Sequence, residues 1–436
     1  MSTPERDRSP ASPLAVFSWV LYDFANSPFV TLVVTFIFAT WFTSGVVGDE
    51  IRGTTIWGNV VAASGVIIAL LSPLFGAIAD RGGYKREFLI GSVVLCCIAT
   101  SALYWTSLPG MVWPAAITFL AANVLFEMGL VFYNAFLPDL NRPEQMGRIS
   151  GNGYALGYIG GLACLAVALV GFIQPEQPWF GLSSEAGQNV RATNLLVAVW
   201  FIVFALPQFL YVKEAEGRLT PRGGNLLQES FGQLAATFRE VRSYRQIVRF
   251  LIARLLYNDG LVTVFAFGAI YATGTFGFTT VEVLYFGAAL NVTAGIGSFA
   301  MGYLDDRIGG KRTVMISIVG LLVATMLAVV APNKAVFWAA SLLLGIFVGP
   351  NQSASRSLMG RLVPRDKENE FFGFFAFSGK ATSFIGPLAM AWLTAAFQSQ
   401  RAGVAAIAVL LLAGLVTLST LDEEEGLRDR DRVTTS

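Results

Sequence analysis

Long apolar runs alternate with short polar connectors along the whole chain. A helix rises about 1.5 Å per residue, so roughly 20 mostly apolar residues cross a hydrocarbon core of about 30 Å. Runs of that length fall near 15–43, 55–79, 88–107, 110–137, 150–173 and 192–212. After a polar stretch they resume near 248–273, 279–303, 313–331, 335–358, 371–395 and 402–420. The pattern predicts an all-α membrane protein of twelve transmembrane helices, numbered here 1 to 12 in chain order. It divides the chain into a tail (1–14), a six-helix bundle (15–213), a linker (214–247), a second six-helix bundle (248–420) and a closing tail (421–436).

Composition agrees. Hydrophobic residues make up 54% of the 436 and charged ones 14%, with a mean hydropathy of +0.60, whereas soluble domains carry about 25% charge. The polar run Met1–Pro13 leads into an apolar stretch too long for a signal-peptide core, so it is expected to remain as helix 1. Cytoplasmic loops hold an excess of Lys and Arg. With both termini inside, 24 of the 30 basic residues fall on the cytoplasmic side, and Arg52, Arg191, Lys334 and Arg401 fall outside. Arg254 and Lys380 lie within helices. Cys96, Cys97 and Cys164 sit in apolar helices without metal-ligand or disulfide spacing and are expected to pack. No cofactor, metal or nucleic acid is implied.

The loop after helix 2 carries Gly76, Asp80, Arg81, Gly83, Lys85 and Arg86, and the loop after helix 8 carries Gly302, Asp306, Arg307, Gly309, Lys311 and Arg312. Each pair is separated by 226 residues. Two such copies in register point to parallel six-helix repeats. Gly permits the tight reversal, Asp sits where its helix ends, and the basic residues hold the cytoplasmic side.

This pattern resembles the Gly-x-x-x-Asp-Arg-x-Gly-Arg-Lys-Arg signature of the major facilitator superfamily. Further segments narrow the resemblance: Leu21–Ser27 on helix 1, Tyr133–Asp139 ending helix 4, Gly153–Gly161 on helix 5, Gln352–Leu358 on helix 10 and Glu370–Pro387 on helix 11. Together they are similar to the branch named for the autophagy-related fungal vacuolar amino-acid effluxers and their bacterial relatives. That resemblance implies two rigid halves rocking about a central site, a small-molecule substrate and export, with amino acids as the leading class. A bacterial inner membrane fits the short tails and compact loops.

Leu226, Leu227, Phe231, Leu234, Phe238 and Val241 recur at helical spacing in the linker. They predict a helix that lies on the inner leaflet or docks on the bundle. Gly153, Gly157 and Gly161 form a small-residue stripe suited to close helix packing.

An ionisable group at mid-membrane costs at least about 2.5 kcal/mol on insertion scales, so each needs a partner or a task. Asp23, Glu127, Arg254, Asp259 and Lys380 are such groups. Three acids face two bases, which leaves one carboxylate to be protonated or to hold a cation. The chain has no His, so proton or sodium coupling falls to a carboxylate, with Glu127 and Asp23 as the candidates. Asn123, Glu127 and Asn134 share one face of helix 4. In the resembling superfamily helices 1, 4, 7 and 10 line the central cavity, which places Asp23 and Asn26 opposite Arg254 and Asn258, with Asn351, Gln352 and Ser355 completing the wall. Both signs beside several amides suit a zwitterion. The same charges could equally serve as interhelical salt bridges or gates.

Other classes have less support. The nearest phosphate-loop match, Gly373–Ala381, has one residue too many and Ala where Ser or Thr would bind magnesium. Without His, the usual catalytic triads and metal sites are mostly unavailable, so an enzyme is not expected. A lysolipid flippase on the same scaffold and a transport-inactive sensor remain as alternatives.

Overall fold

The structure, a computed structural model, describes residues 11–140, 143–214, 226–239, 244–364 and 366–435. Among these, ten helices are long and apolar enough to cross a membrane. They are α1 (Pro13–Val47), α2 (Glu50–Gly82), α3 (Lys85–Thr106), α4 (Val112–Leu140), α5 (Pro143–Ile173), α6 (Glu185–Tyr211), α7 (Arg245–Phe276), α9 (Gly310–Val330), α10 (Lys334–Leu362) and α12 (Gln400–Ser419). Two positions in the same order are filled by α8 (Thr280–Ile308) and by a broken helix, α11a (Glu368–Lys380) and α11b (Ile385–Phe397). A single unbroken span over 371–395 was expected; the chain instead turns at 381–384.

Neighbouring helices run in opposite directions, which puts the first turn of α1, both signature loops and the end of α12 on one side, the termini face. Within the first half α1 packs on α5 and α6, and α3 on α4 and α6; within the second, α7 packs on α12 and α10 on α8 and α9. The halves meet along two seams, α5 against α8 and α2 against α11a.

Glycine makes both seams possible. A side chain at position 76 would collide with the backbone of Asn369, and one at 302 would press on Gly147 O and the Cα of Gly151. Without side chains the backbones approach closely enough for dispersion and weak hydrogen bonds to hold two apolar helices together. The stripe Gly153, Gly157 and Gly161 receives Asp23, Ser27 and Thr31 of α1. Packing is thus its role, and it also leaves room for the Asp23 carboxylate.

Both signature loops turn through a glycine with positive φ, Gly83 at 65° and Gly309 at 91°, a region costly for any residue with a Cβ. Two short helices cover them: a linker helix (Leu226–Arg239) packs on α2, and a tail helix (Glu423–Thr435) lies against α7 and α10. The linker helix docks in an unexpected sense. Its polar residues Ser230, Gln233 and Thr237 are buried, whereas Phe231 is 58% exposed. Val241 and the basic residues Arg218, Arg222 and Arg242 lie outside the described residues.

Candidate functional site

At the termini face each half caps a helix of the other. The Asp80 carboxylate accepts the backbone N–H groups of Asn369 (3.1 Å) and Glu370 (2.8 Å) and the Asn369 side chain (2.7 Å). These are second- and third-position amides of α11a, which have no acceptor within their own helix. Asp306 repeats the arrangement on α5, whose α-helical part begins at Met146, taking the amides of Gly147 (2.8 Å) and Arg148 (3.3 Å). A carboxylate there also meets the positive end of the helix dipole.

The basic signature residues diverge. Lys85, expected at the surface, is fully buried: its ammonium donates to Asp139 (2.8 Å), Glu368 (2.8 Å) and Ala135 O (2.9 Å) and lies 4.9 Å from the Phe136 ring centre. Arg86 donates to Phe209 O at 2.7 Å and ties α3 to α6. Arg81 reaches the linker helix, donating to Gln233 at 2.7 Å, and Gln233 donates onward to Glu370 at 2.6 Å. Lys311 bonds the carbonyls of Ser419 and Leu421 at the end of α12, while Arg307 and Arg312 are exposed. Next to the second loop, Arg361 bridges Asp305 (2.8 Å), Asp306 (3.5 Å) and Pro143 O (2.9 Å).

One layer deeper, Asp23 pairs with Arg356 rather than facing Arg254. The guanidinium lies 2.9 Å from Asp23 Oδ2 and also donates to Ser150 Oγ (2.8 Å), Ser150 O (2.9 Å) and Asn134 (3.4 Å). Trp19, Tyr133 and Tyr154 surround it, with ring centres 4.3–5.6 Å away. Asn26 donates to Asp23 at 3.5 Å. Arg356 was not among the expected mid-membrane charges; α10 continues to Leu362, beyond the expected end at 358, and Arg356 is 2% exposed. The available signal was a lone Arg in the small-residue stretch Gln352–Leu358, with Trp19 and Tyr133 on facing helices.

Glu127 and Lys380 form a second bridge between the halves at 2.7 Å, part-open to the interior. At about 1.5 Å per residue, Asp23, Glu127, Arg254 and Lys380 all lie about 14–20 Å from the termini face, near the middle of a bilayer core. Arg254 makes no ion pair among the described residues. It donates to Phe375 O (2.5 Å) and Ser378 (2.8 Å) and stacks 3.6 Å from the Phe375 ring centre. Asn258 donates to Gly379 O at 3.0 Å, so two residues of α7 satisfy carbonyls where α11a ends. Asp259, one residue on, accepts the Gly386 amide at 2.8 Å, where α11b begins.

The remaining expected wall residues turn away from the centre. Asn351 donates to Ser317 of α9 (3.0 Å) and Asn123 to Ser64 of α2 (2.8 Å), each within its own half, while Ser355 meets Tyr257 of α7. Gln352 does face the other half, accepting from Tyr158 at 3.4 Å. Among the described residues, polar links between the halves all lie from the termini face to the Glu127–Lys380 layer. At the far face they stay within one half, as in Trp41 to Ser107 O and Lys334 to Glu282.

A helical bundle with ten long apolar spans among its described residues, reciprocal caps between its two parts at one face and a charged middle layer is a multi-pass membrane protein of the major facilitator fold. The likeness extends to solved structures: the proton:xylose symporter XylE (TM-score 0.73, 14% identity, 96% of this chain and 98% of that one) and the fucose:proton symporter FucP of E. coli (0.71, 14%, 94% and 98%). A bacterial homologue of the iron transporter ferroportin in an outward-facing state aligns with a TM-score of 0.69, at 15% identity over 94% and 98% of the two chains.

The family described as "Vacuole effluxer Atg22 like" matches residues 44–431, and the chain belongs to it. An uncharacterized MFS-type transporter of Bacillus subtilis, YxiO, is 28% identical, covering 93% of this chain and 94% of its own. Autophagy-related protein 22 of Saccharomyces cerevisiae is 23% identical, covering 86% and 77%. Its relatives are transporters, not enzymes, and the chain is a transporter of that superfamily.

Proposed function

We propose that this protein is a secondary active exporter that moves a small zwitterionic solute, with amino acids as the leading class, by alternating access coupled to a cation. The observation that carries the reading is Arg254, a guanidinium near mid-membrane with no carboxylate partner among the described residues, close in depth to the part-open Glu127–Lys380 pair that joins the halves. A substrate carboxylate completes the hydrogen bonding of Arg254, and a substrate ammonium competes with Lys380 for Glu127. Asn258 and Tyr154 supply polar edges. Opening the Glu127–Lys380 pair on binding loosens the link between halves, and that is the differential interaction through which a ligand shifts a conformational equilibrium.

The termini face is taken as cytoplasmic on the strength of its Lys and Arg excess, with twelve spans in a bacterial inner membrane. The polar clasp at that face then corresponds to an outward-facing arrangement. Asp23 is held by Arg356 and reads as a gate rather than a substrate contact.

Thermal unfolding of the detergent-purified protein in the presence of amino acids, small peptides and lysophospholipids tests the site. A ligand at 100 times its Kd adds about 2.7 kcal/mol to apparent stability. Amino acids should raise the transition, and Arg254→Ala should abolish the shift. A shift produced by lysophospholipids alone would sink the zwitterion reading in favour of lipid transport.

A further inference from the structure

Among the described residues, one buried carboxylate near mid-membrane belongs neither to the gate nor to the proposed substrate site. Asp259 is 2% exposed, and its Oδ2 accepts the Gly386 amide, yet its Oδ1 has no hydrogen-bond partner. Among the described residues no cation forms an ion pair with it; Arg254, five residues earlier on the same helix, donates instead to Phe375 O and Ser378. Ile385–Phe397 contains no acid or base, and α12 carries only Arg401, at its far end, bound to the carbonyls of Val329 and Ala331. On α11a Lys380 belongs to Glu127, and on α10 Arg356 belongs to Asp23, Arg361 to Asp305 and Lys334 to Glu282. On α8, Glu282 is taken by Lys334, and at the termini face Glu425 accepts from Gln246.

A carboxylate in that position can be completed by a proton or a metal cation. The close packing of its neighbours favours the proton. A Cβ at Gly386 would meet Thr263 Oγ1 and, at 3.1 Å, Leu410, while Thr263 Oγ1 is already engaged with Asp259 O. At the neighbouring Gly260 a Cβ would be in van der Waals contact with Leu411 (3.4 Å) and the Ile407 carbonyl (3.6 Å). A sodium ion needs several oxygen ligands, whereas a proton needs no extra room.

The geometry points to Asp259 as the proton-binding group of the transport cycle, seated at the break of α11. This rests on the cation-coupled reading above and moves the coupling role away from Glu127 and Asp23, both ion-paired. The ionised form is held by the amide end of α11b, and protonation removes a buried charge whose Oδ1 is unmatched. Asp259 follows Asn258 and lies five residues beyond Arg254. All three bond to the two sides of the same break, so a change of proton occupancy alters the fit of α11a and α11b on α7. Discontinuous helices at mid-membrane serve transporters in this way, because their free ends supply polar groups inside hydrocarbon.

The test uses the full chain in proteoliposomes, with radiolabelled proteinogenic amino acids as probe, for wild type, Asp259→Asn and Asp259→Ser. Asn and Ser both cap helices as Asp does but cannot titrate. The expected result is that wild type concentrates label when a pH gradient is imposed. Both variants should lose at least about tenfold of that accumulation, about 1.4 kcal/mol of coupling, while keeping label-for-label exchange. Gradient-driven accumulation by either folded variant at the wild-type level would overturn the assignment and leave proton coupling with another group. Wild type that exchanges label but ignores the pH gradient would overturn proton coupling itself. If both variants fail to fold, the pH change on adding the amino acids to weakly buffered wild type, Asp23→Asn and Glu127→Gln decides: proton exchange retained when each of the other two carboxylates is replaced supports the site, and exchange absent from wild type or lost with either replacement overturns it.

Discussion

The two signature loops share six identities and a cap given by the aspartate, yet the structure uses them differently. In both, the aspartate crosses to the other half and caps a helix at its second and third amides. In the first loop the following lysine is driven inside to hold two carboxylates, and the linker helix clasps Arg81. In the second the equivalent lysine stays at the surface, and Glu423 of the tail helix accepts the amides of Gly310 (3.1 Å) and Lys311 (2.9 Å). The buried bridging there falls instead to Arg361, from another helix. Duplication has preserved the positions that set backbone geometry, Gly and Asp, and has left the charges to find new partners.

The largest expected contrast lies in the lysines. Lys85→Ala removes the buried ammonium that Asp139 and Glu368 share, and breaking a buried ion pair costs about 3–5 kcal/mol. Lys311→Ala removes two bonds at the water boundary and should cost under about 1 kcal/mol. Denaturant or thermal unfolding of the two variants in the same detergent measures the difference; equal losses would mean that the repeat is functional at that position too.

The capping aspartates should differ less. Each loss of a cap costs about 1–2 kcal/mol, but only in the state where the termini face is closed. Asp80→Ala and Asp306→Ala should therefore shift the population toward opening at that face, by a factor of about 5–30. The three bonds to Asp80 are 2.7–3.1 Å long, whereas Asp306 takes Gly147 at 2.8 Å, Arg148 at 3.3 Å and Arg361 at 3.5 Å, so the first should shift it more. Labelling of single cysteines placed at the two faces reports the change, and an unaltered ratio in both variants would show that the caps do not hold the gate.

The smallest effect concerns the tail helix. Asp422 accepts the Glu425 amide at 3.0 Å, and that bond holds its carboxyl below the ordinary value of 3.8. A depressed carboxylate contributes in full above that ordinary value, and the contribution fades as pH falls below it toward the lower folded value. Asp422→Ala should loosen the tail helix at neutral pH with little effect on the linker helix, and the difference between variant and wild type should vanish in strong acid. Amide hydrogen exchange over 423–435 is the readout.

The helices, the repeat and the mid-membrane charges were legible from the sequence because each rests on local pattern: run length, a fixed offset, or an ionisable residue in an apolar stretch. Partners were not. Asp23 and Arg356 are 333 residues apart and Lys85 and Glu368 283, so nothing in either neighbourhood announces the other. Lys85 was placed with its loop, and Arg356 left out of the mid-membrane charges, because basic residues near helix ends ordinarily reach water. The break of α11 was hidden because its turn, Ala381–Phe384, is composed of residues that a helix tolerates. The linker helix had the right period, but its polar face was the docking face, since what it covers is a layer of Arg, Glu and Lys.

The reciprocal capping has a consequence for how such a molecule can arise. One half contains both parts of the clasp: the loop that gives an aspartate and the helix end that receives one. Two identical halves laid side by side would each give and each receive, closing on one another about a two-fold axis normal to the membrane, as in an isologous dimer. Fusion of the two copies into one chain would then keep the clasp intact from the start, while freeing Lys85, Arg361 and the two covering helices to become unequal.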